Sequence, residues 1–444
     1  MPKMKANTFL VASVAATVLA LFEGPSASAA QFKPTTGGDL DDPNNWTSTT
    51  DTAYGVVKQQ SAPLTISSAS ATMPNNGNLL YRTNVHTNEF GAGYVLNIPF
   101  LTVEQGATLV HRSGAIAISG GSNQSKIGPS ASSTGTLVVT GADASISFAT
   151  MAATVGTGSA FSILGGASLE LASKIYVGAG ASFMADGASV SLTQNGSVLE
   201  VAQGAACTFA DSSLAMANGA QLLVDSGATA TVSRCSISPG GDASKIGGSG
   251  GAVRFTGGTT TINHRFEMMG DGFVFFIDGA TVDFSSSGWF ITGSSSATDS
   301  QNPGNTRTIR FSGASPRLSV AGGSGFGFYL RGTAITFRFD LGADWAPSAP
   351  VVEITDGGKF SGDAACRAAS QVVVNIDNDC PPGTYTLLKG KAATTILTGE
   401  GKWVANCGSA REAEFQTAGS VGTTSECLQI VVRDAAKATV ICFR

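Results

Sequence analysis

The stretch GGASLELASKIYVGAGASFMADGASVSLTQNGSVLEV, from Gly165 to Val201, decides the fold. It repeats one short phrase: Gly, then Ala or Ser, then any residue, then two apolar or small residues two positions apart. The phrase begins at Gly141, Gly158, Gly166, Gly180, Gly187, Gly196, Gly204, Gly219 and Gly227, with gaps of 17, 8, 14, 7, 9, 8, 15 and 8 residues. Across the longer gaps the alternation persists without the glycine, as in Lys174-Ile175-Tyr176-Val177. Alternation puts Leu169 and Leu171 on one face of an extended segment and Ser168 and Glu170 on the other, while glycine supplies the freedom for the turn before it.

Strands of four or five residues do not stand alone or as hairpins, and no helical period intervenes to make crossovers. They are expected to stack on copies of themselves. Grouping three phrases gives coils of 22, 24 and 23 residues from Gly158, Gly180 and Gly204. That is the repeat of an all-β, single-stranded parallel β-helix, with rungs about 4.8 Å apart. Its inward positions are Leu169, Leu171, Ile175, Val177, Phe183, Val190, Leu192, Leu199, Val201, Phe209, Leu222 and Val224. Cys207 and Cys235 fall in inward slots as small buried hydrophobes, with a disulfide between neighbouring coils as the other reading.

Beyond about Gly250 the coil is expected to widen to about 28 residues, because apolar-charged-Phe triplets recur at Arg254, Asp283, Arg310 and Arg338, spaced 29, 27 and 28 apart. This spacing predicts an outward ladder with Asp283 between Arg254 and Arg310, either a set of surface ion pairs or a contact for an anionic glycan. Thr292 to Asn305 reads as a polar loop excursion. Prolines 347 and 350 open a terminal unit in which CLQIVVRDAAKATVICF suggests a hairpin turning at Asp434 to Lys437. The resulting division is a signal segment (1–30), an N-terminal lead-in and cap (31–90), the helix (91–345) and a C-terminal β cap (346–444).

The first 30 residues carry Lys3 and Lys5, an apolar run from Ala6 to Phe22 and the small residues Ala27-Ser28-Ala29, the pattern of a secretory signal. No later run reaches the roughly 18 apolar residues of a spanning helix, so no membrane span is expected in the mature chain. Charged residues make up only 13%, and the chain carries 26 basic against 31 acidic residues. Without Lys3, Lys5 and Glu23 the balance is 24 to 30, a net charge of −6. Nucleic acid, which needs clustered Lys and Arg, is not an expected partner. Seven cysteines in an exported chain permit disulfides and leave one over. Cys366 with Cys380 and Cys407 with Cys427 are the sequence-near pairings in the cap, where Cys442 also lies.

The phrases between 141 and 232, the lead-in DDPNNW at Asp41 to Trp46 and the closing PGTYTLLKG at Pro382 to Gly390 resemble autotransporter-passenger-like β-solenoid proteins exported by Gram-negative bacteria. The resemblance implies a right-handed β-helix on or near the cell surface, with an adhesive or structural role. Neither a membrane β-barrel translocator nor a hydrophobic sorting tail is expected after the solenoid, which keeps free secretion and the periplasm open beside surface attachment.

Catalysis on such a fold needs paired carboxylates about 5 to 10 Å apart or an acid cluster for a metal. In the regular coils Glu170 meets Ser191 one coil on, and Asp143 is followed at its place in the phrase by Ser168 and Ser189, so no carboxylate ladder is expected. His264, Arg265, Glu267, Asp271 and Asp278 lie close in sequence, with Trp289 and Tyr329 as sugar-stacking candidates. His86 and His111 are isolated. Asp39, Asp41 and Asp42, or Asp377 and Asp379, are calcium candidates that match no calcium-loop pattern. No cofactor or metal is expected. The reading is a non-enzymatic, secreted or cell-surface structural, adhesin-like solenoid, with extracellular glycans or cell-surface components as partners. Arg254, Arg310, Arg338, Trp289 and Tyr329 would make the glycan contact. A polysaccharide lyase or glycoside hydrolase and a non-catalytic glycan-binding module are the alternatives.

Overall fold

A computed structural model describes residues 85–435 except 121–123, 151, 242, 285–289, 293–305 and 323–326, together with short strands ahead of residue 85. The alternation becomes a parallel β-solenoid of about 10 turns, 58% strand and 2% helix. Three faces follow one another along each turn. On the first, Phe161, Phe183, Cys207 and Ala230 pair in register, 22, 24 and 23 residues apart. The second stacks Leu169 on Val190 and Val190 on Leu214, and the third stacks Ile175 on Leu199 and Leu199 on Leu222. The inward set from Leu169 to Val224 is buried throughout, none of it more than 1% exposed. Each such side chain contributes about 1.5–3 kcal/mol by leaving water.

Corners interrupt the ladder and need small residues. Gly166 turns at φ +89°, a region other residues rarely adopt. Gly156 is required by space instead, since a Cβ there would meet the Gly128 carbonyl oxygen at 1.8 Å. Corner serines take up backbone N–H groups from the adjacent rung: Ser159 Oγ accepts from Gly135, and Ser212 Oγ from Ala188. The polar residue inside a buried corner is thus a backbone partner, which keeps the N–H from being stranded.

Past Gly250 the turns lengthen unevenly. Val253 pairs with Phe275, 22 residues on, and then Phe275 with Ile309, Ile309 with Phe337 and Phe337 with Val372, at 34, 28 and 35. Part of the extra chain leaves the wall between the third and first faces; after Phe360–Gly362 it forms the short helix Ala364–Ala369. Phenylalanines fill the enlarged interior. Phe290 packs on Phe275, Phe284 and Phe328 at 5.5, 5.1 and 4.9 Å between centroids.

Parallel pairing reaches below residue 91, where Asn88 pairs with both Leu64 and His111, and continues beyond Pro350 to Trp403–Cys407 stacked on Gln371–Ile376. At this end the sheet turns antiparallel, in the order Gly383–Lys389, Cys427–Asp434, Arg411–Ala418. This overturns the hairpin expected at Asp434 to Lys437. Both edges of Cys427–Asp434 are already occupied, and its intended second arm lies outside the described residues, as do Asp39, Asp41, Asp42, Trp289 and most of the Thr292 to Asn305 excursion.

The expected disulfides are absent: Cys207, Cys235, Cys366, Cys380, Cys407 and Cys427 are all free. Cys366 lies on the short helix and Cys380 in the turn ahead of Gly383, while Cys407 ends a rung and Cys427 pairs with Lys389 and Ala418. Cys207 sits between Phe183 and Ala230 in the apolar column, where burial pushes its thiol up to about 12.

Candidate functional site

The longest run of charged residues in the wide coils lies on the outside of the first face. Alternation leaves Arg254, Phe276, Arg310 and Arg338 in one outward column on successive rungs. The ladder expected from the triplets is therefore wrong at its second rung. Phe276 stands between Arg254 and Arg310, and Asp283 belongs to the second face, where it pairs with Thr261 and Ser319. Both guanidinium groups lie over the Phe276 ring, at 5.1 and 4.5 Å from its centroid.

A second outward column runs beside the first. Arg254 Nε donates to Asp278 at 3.1 Å and Ser312 Oγ to the same carboxylate at 2.7 Å. Two rungs on, Asp340 accepts from Arg310 Nε (2.6 Å), Arg338 Nε (2.9 Å) and Asn375 Nδ2 (2.6 Å). Asn406 Nδ2 extends the row onto Asn375 at 2.9 Å. Burial opposes ionisation of Asp278 and Asp340, but these donors outweigh it and hold both carboxyls below the usual range. On the second face Glu353 is closed in the same way by Lys389 Nζ (2.9 Å) and Arg317 Nη2 (2.8 Å).

Asp278 and Asp340 lie two rungs apart, about 9.6 Å along the axis at the usual strand spacing, a separation compatible with a pair of glycosidase carboxylates. Their ionisation argues against that use. Glycoside hydrolysis needs one carboxyl kept protonated by a raised pKa, and both here are held as anions with Arg310 between their rungs.

The other sequence candidates disperse. His264 Nδ1 contacts its neighbour's Arg265 carbonyl, and Glu267 faces Lys245 from the adjacent third-face rung. Asp271 accepts from the Thr306 N–H, while Asp278 joins the Arg254 column. Tyr329 donates to Asp363 at 3.0 Å and is half-buried. In the regular coils Glu170 does meet Ser191, but Ser145 and not Asp143 is the partner of Ser168. His86 and His111 are core residues. No group of three metal-ligating side chains converges among the described residues, Asp377 and Asp379 included, and no helix there is long and apolar enough to cross a membrane.

Sequence reasoning missed Phe276, Asp278 as a partner of Arg254, and Asp340. The signal was present in GFVFFIDGA, whose alternation points Phe276 outward between Phe275 and Ile277. Comparison with known protein families, characterised proteins and solved structures gives no match.

Proposed function

We propose that this chain is an exported structural protein with an adhesin-like role, a secreted or cell-surface solenoid of the autotransporter-passenger type, wound right-handed, that catalyses no reaction. One observation carries the reading: outward ionised groups close on each other from rung to rung, Arg254 on Asp278, Arg310 and Arg338 on Asp340, Arg317 and Lys389 on Glu353. Such contacts stiffen a rod. About ten rungs reach roughly 50 Å at the rung spacing, a length that displays polar faces without a pocket. The test is fractionation of cells making a tagged full chain. Recovery from medium or cell surface without residues 1–30 is expected; cytoplasmic recovery with those residues intact would sink the reading.

Phe276 and its flanking arginines favour a second role on the same rod, contact with anionic glycans. Arg310 and Arg338 bond Asp340 through Nε and keep side chains 37% and 44% exposed. Retention on immobilised sulfated or uronate-rich glycans should fall at least tenfold in the Arg310→Ala, Arg338→Ala double variant. Trp289→Ala and Tyr329→Ala test an aromatic contribution.

A further inference from the structure

The three arginines of the first-face column are not equivalent. Arg254 turns Nε and Nη2 together onto Asp278, which closes that edge of its guanidinium on a carboxylate. Arg310 and Arg338, on adjacent rungs, reach Asp340 through Nε alone, at 2.6 and 2.9 Å. Their terminal Nη groups donate no hydrogen bond among the described residues, and both side chains reach solvent. Three neighbours hold the pair in place. Phe276 lies against the Arg310 guanidinium at 4.5 Å, and Asp340, itself fixed by Asn375 Nδ2 at 2.6 Å, ties both arginines to one carboxylate. Donors fixed in this way have little ordering left to lose on binding.

The flanking columns differ in character. Asp340 stands on one side of the pair, while Thr308, Thr336 and Gln371 stack in register on the other. An incoming anion is repelled on the Asp340 side and meets neutral hydroxyl and amide groups on the opposite one. Thr336 shares the outward side of its strand with Arg338, two residues away. Its Oγ1 accepts from Gln371 Nε2 at 3.5 Å, which leaves its own hydroxyl hydrogen to donate.

Charge and donor number select the anion. Two guanidinium groups against the single Asp340 carboxylate leave one positive charge, matched by a monoanion and exceeded by the near-dianion of a phosphate monoester. Two terminal nitrogens on each arginine outnumber the two oxygens of a uronate carboxylate. The three terminal oxygens of a sulfate half-ester spread over adjacent rungs, about 4.8 Å apart, and take these donors more fully. Guanidinium is also weakly hydrated, so it pairs at low desolvation cost with the diffuse charge of a sulfate ester.

We propose that Arg310, Arg338 and the Thr336 hydroxyl bind the sulfate half-ester of a sulfated glycan in preference to a carboxylate or a phosphate monoester. This inference rests on the anionic-glycan role proposed above and narrows it to one anion. Phe276 and Asp340 are positioning residues.

The test compares retention of the exported chain at about 0.15 M salt on immobilised dextran carrying sulfate, carboxymethyl or phosphate groups at matched charge density, with plain dextran as the blank. Sulfated dextran should retain the parent at least tenfold more strongly than either of the other anionic polymers. The Arg310→Lys, Arg338→Lys double variant keeps both charges but loses the paired terminal nitrogens, and its preference for sulfate should fall to within about twofold. Thr336→Val, close in volume, should lower retention on sulfated dextran about threefold, the scale of one hydrogen bond, and serves if the lysine variant fails to fold. Equal retention of the parent on all three anionic polymers, or a sulfate preference unchanged in these variants, overturns the sulfate assignment and leaves the anionic-glycan role standing. Retention on none of them overturns both.

Discussion

The coils from Gly135 to Thr256 and those from Val274 to Ile376 bury an apolar cylinder by different means. In the first set each turn advances 22 to 24 residues on the first face, corners are Gly, Ala and Ser, and the outer faces are mostly neutral. The second set spends 28 to 35 residues per turn and fills its larger interior with stacked phenylalanines, while ion pairs tie its rungs outside. A short coil gains its stability from tight corners and an unbroken ladder. A long coil carries chain that contributes little to the core and must be anchored. Uniform stacks behave as chains of nearest-neighbour units, so the two halves should fail differently.

The largest effects lie inside. Phe183 packs between Phe161 and Phe209 at 5.6 and 5.7 Å, and Phe290 touches four other phenylalanines. Either change to Ala should cost about 3–5 kcal/mol in chemical denaturation. Phe290→Ala should also speed exchange of amides in 274–376 while leaving 160–233 protected. Equal opening of both halves would show that the stack is a single cooperative unit and erase the distinction.

A smaller effect marks the rung just ahead of the regular set. His111 is fully buried, its Nε2 2.8 Å from the Gly114 carbonyl and its ring 5.1 Å from Phe90. Burial pushes its pKa down to about 4. The folded form resists a proton that the unfolded chain accepts near 6.5, so stability should decline as pH falls from about 6.5 to about 4 and level off below. A lowering from 6.5 to about 4 corresponds to about 3 kcal/mol. His111→Phe, if it folds, should flatten that interval in a pH series of denaturant midpoints.

How far the residues announced this structure differs between the halves. Leu169, Phe183 and Leu199 could be placed inward from the period alone, because the corner glycines recur often enough to fix the phase. Asp283 was misplaced because alternation reads the same on every face. The triplet at Val282-Asp283-Phe284 looks like that at Ile309-Arg310-Phe311, yet the true partner of Arg310 is Phe276, 34 residues back, a length that a constant spacing of 28 hides. The cysteine pairings failed for a related reason: a whole strand separates the members of each, Gln371–Ile376 between Cys366 and Cys380 and Arg411–Ala418 between Cys407 and Cys427, so nearness in sequence does not bring the thiols together. Phe276, the centre of the candidate site, is legible in the alternation of Val274–Asp278 but carries no charge, so the charge pattern alone does not reveal it.

Arg307 tests whether the longer coils depend on anchors. Its Nε donates to the Gly270 carbonyl at 3.0 Å and its Nη1 to that of Thr292, joining the turn after Glu267–Met269 to the end of Phe290–Ile291. Burial lowers its pKa to about 10, which leaves it charged at neutral pH. Arg307→Gln should cost about 2 kcal/mol, the scale of hydrogen bonds from a charged group, with faster exchange centred on 267–274. Loss confined to the regular coils would contradict the anchoring role.

The smallest expected effect separates the outer faces. In the regular half Arg234 meets Asp211 with both side chains about half exposed, and Arg234→Ala should leave the denaturation midpoint unchanged within error. In the wide half Asp340 collects three donors, and its removal leaves Arg310 and Arg338 facing each other without their shared anion. Asp340→Asn should therefore cost about 1 kcal/mol at low salt, a network value above that of an isolated exposed pair, and less at high salt. Its pH signature is opposite in position to that of His111. Burial raises the Asp340 pKa, but the bonds from Asn375, Arg338 and Arg310 bring it below the usual range, so its contribution persists above about pH 4 and disappears only as pH drops through the depressed value. Acid titration of the parent should consequently lose stability in two steps, the N-terminal coils first and the arginine ladder afterwards. A single step, or a ladder step unaffected by Asp340→Asn, would mean that the outer ion pairs ornament the wide coils without holding them.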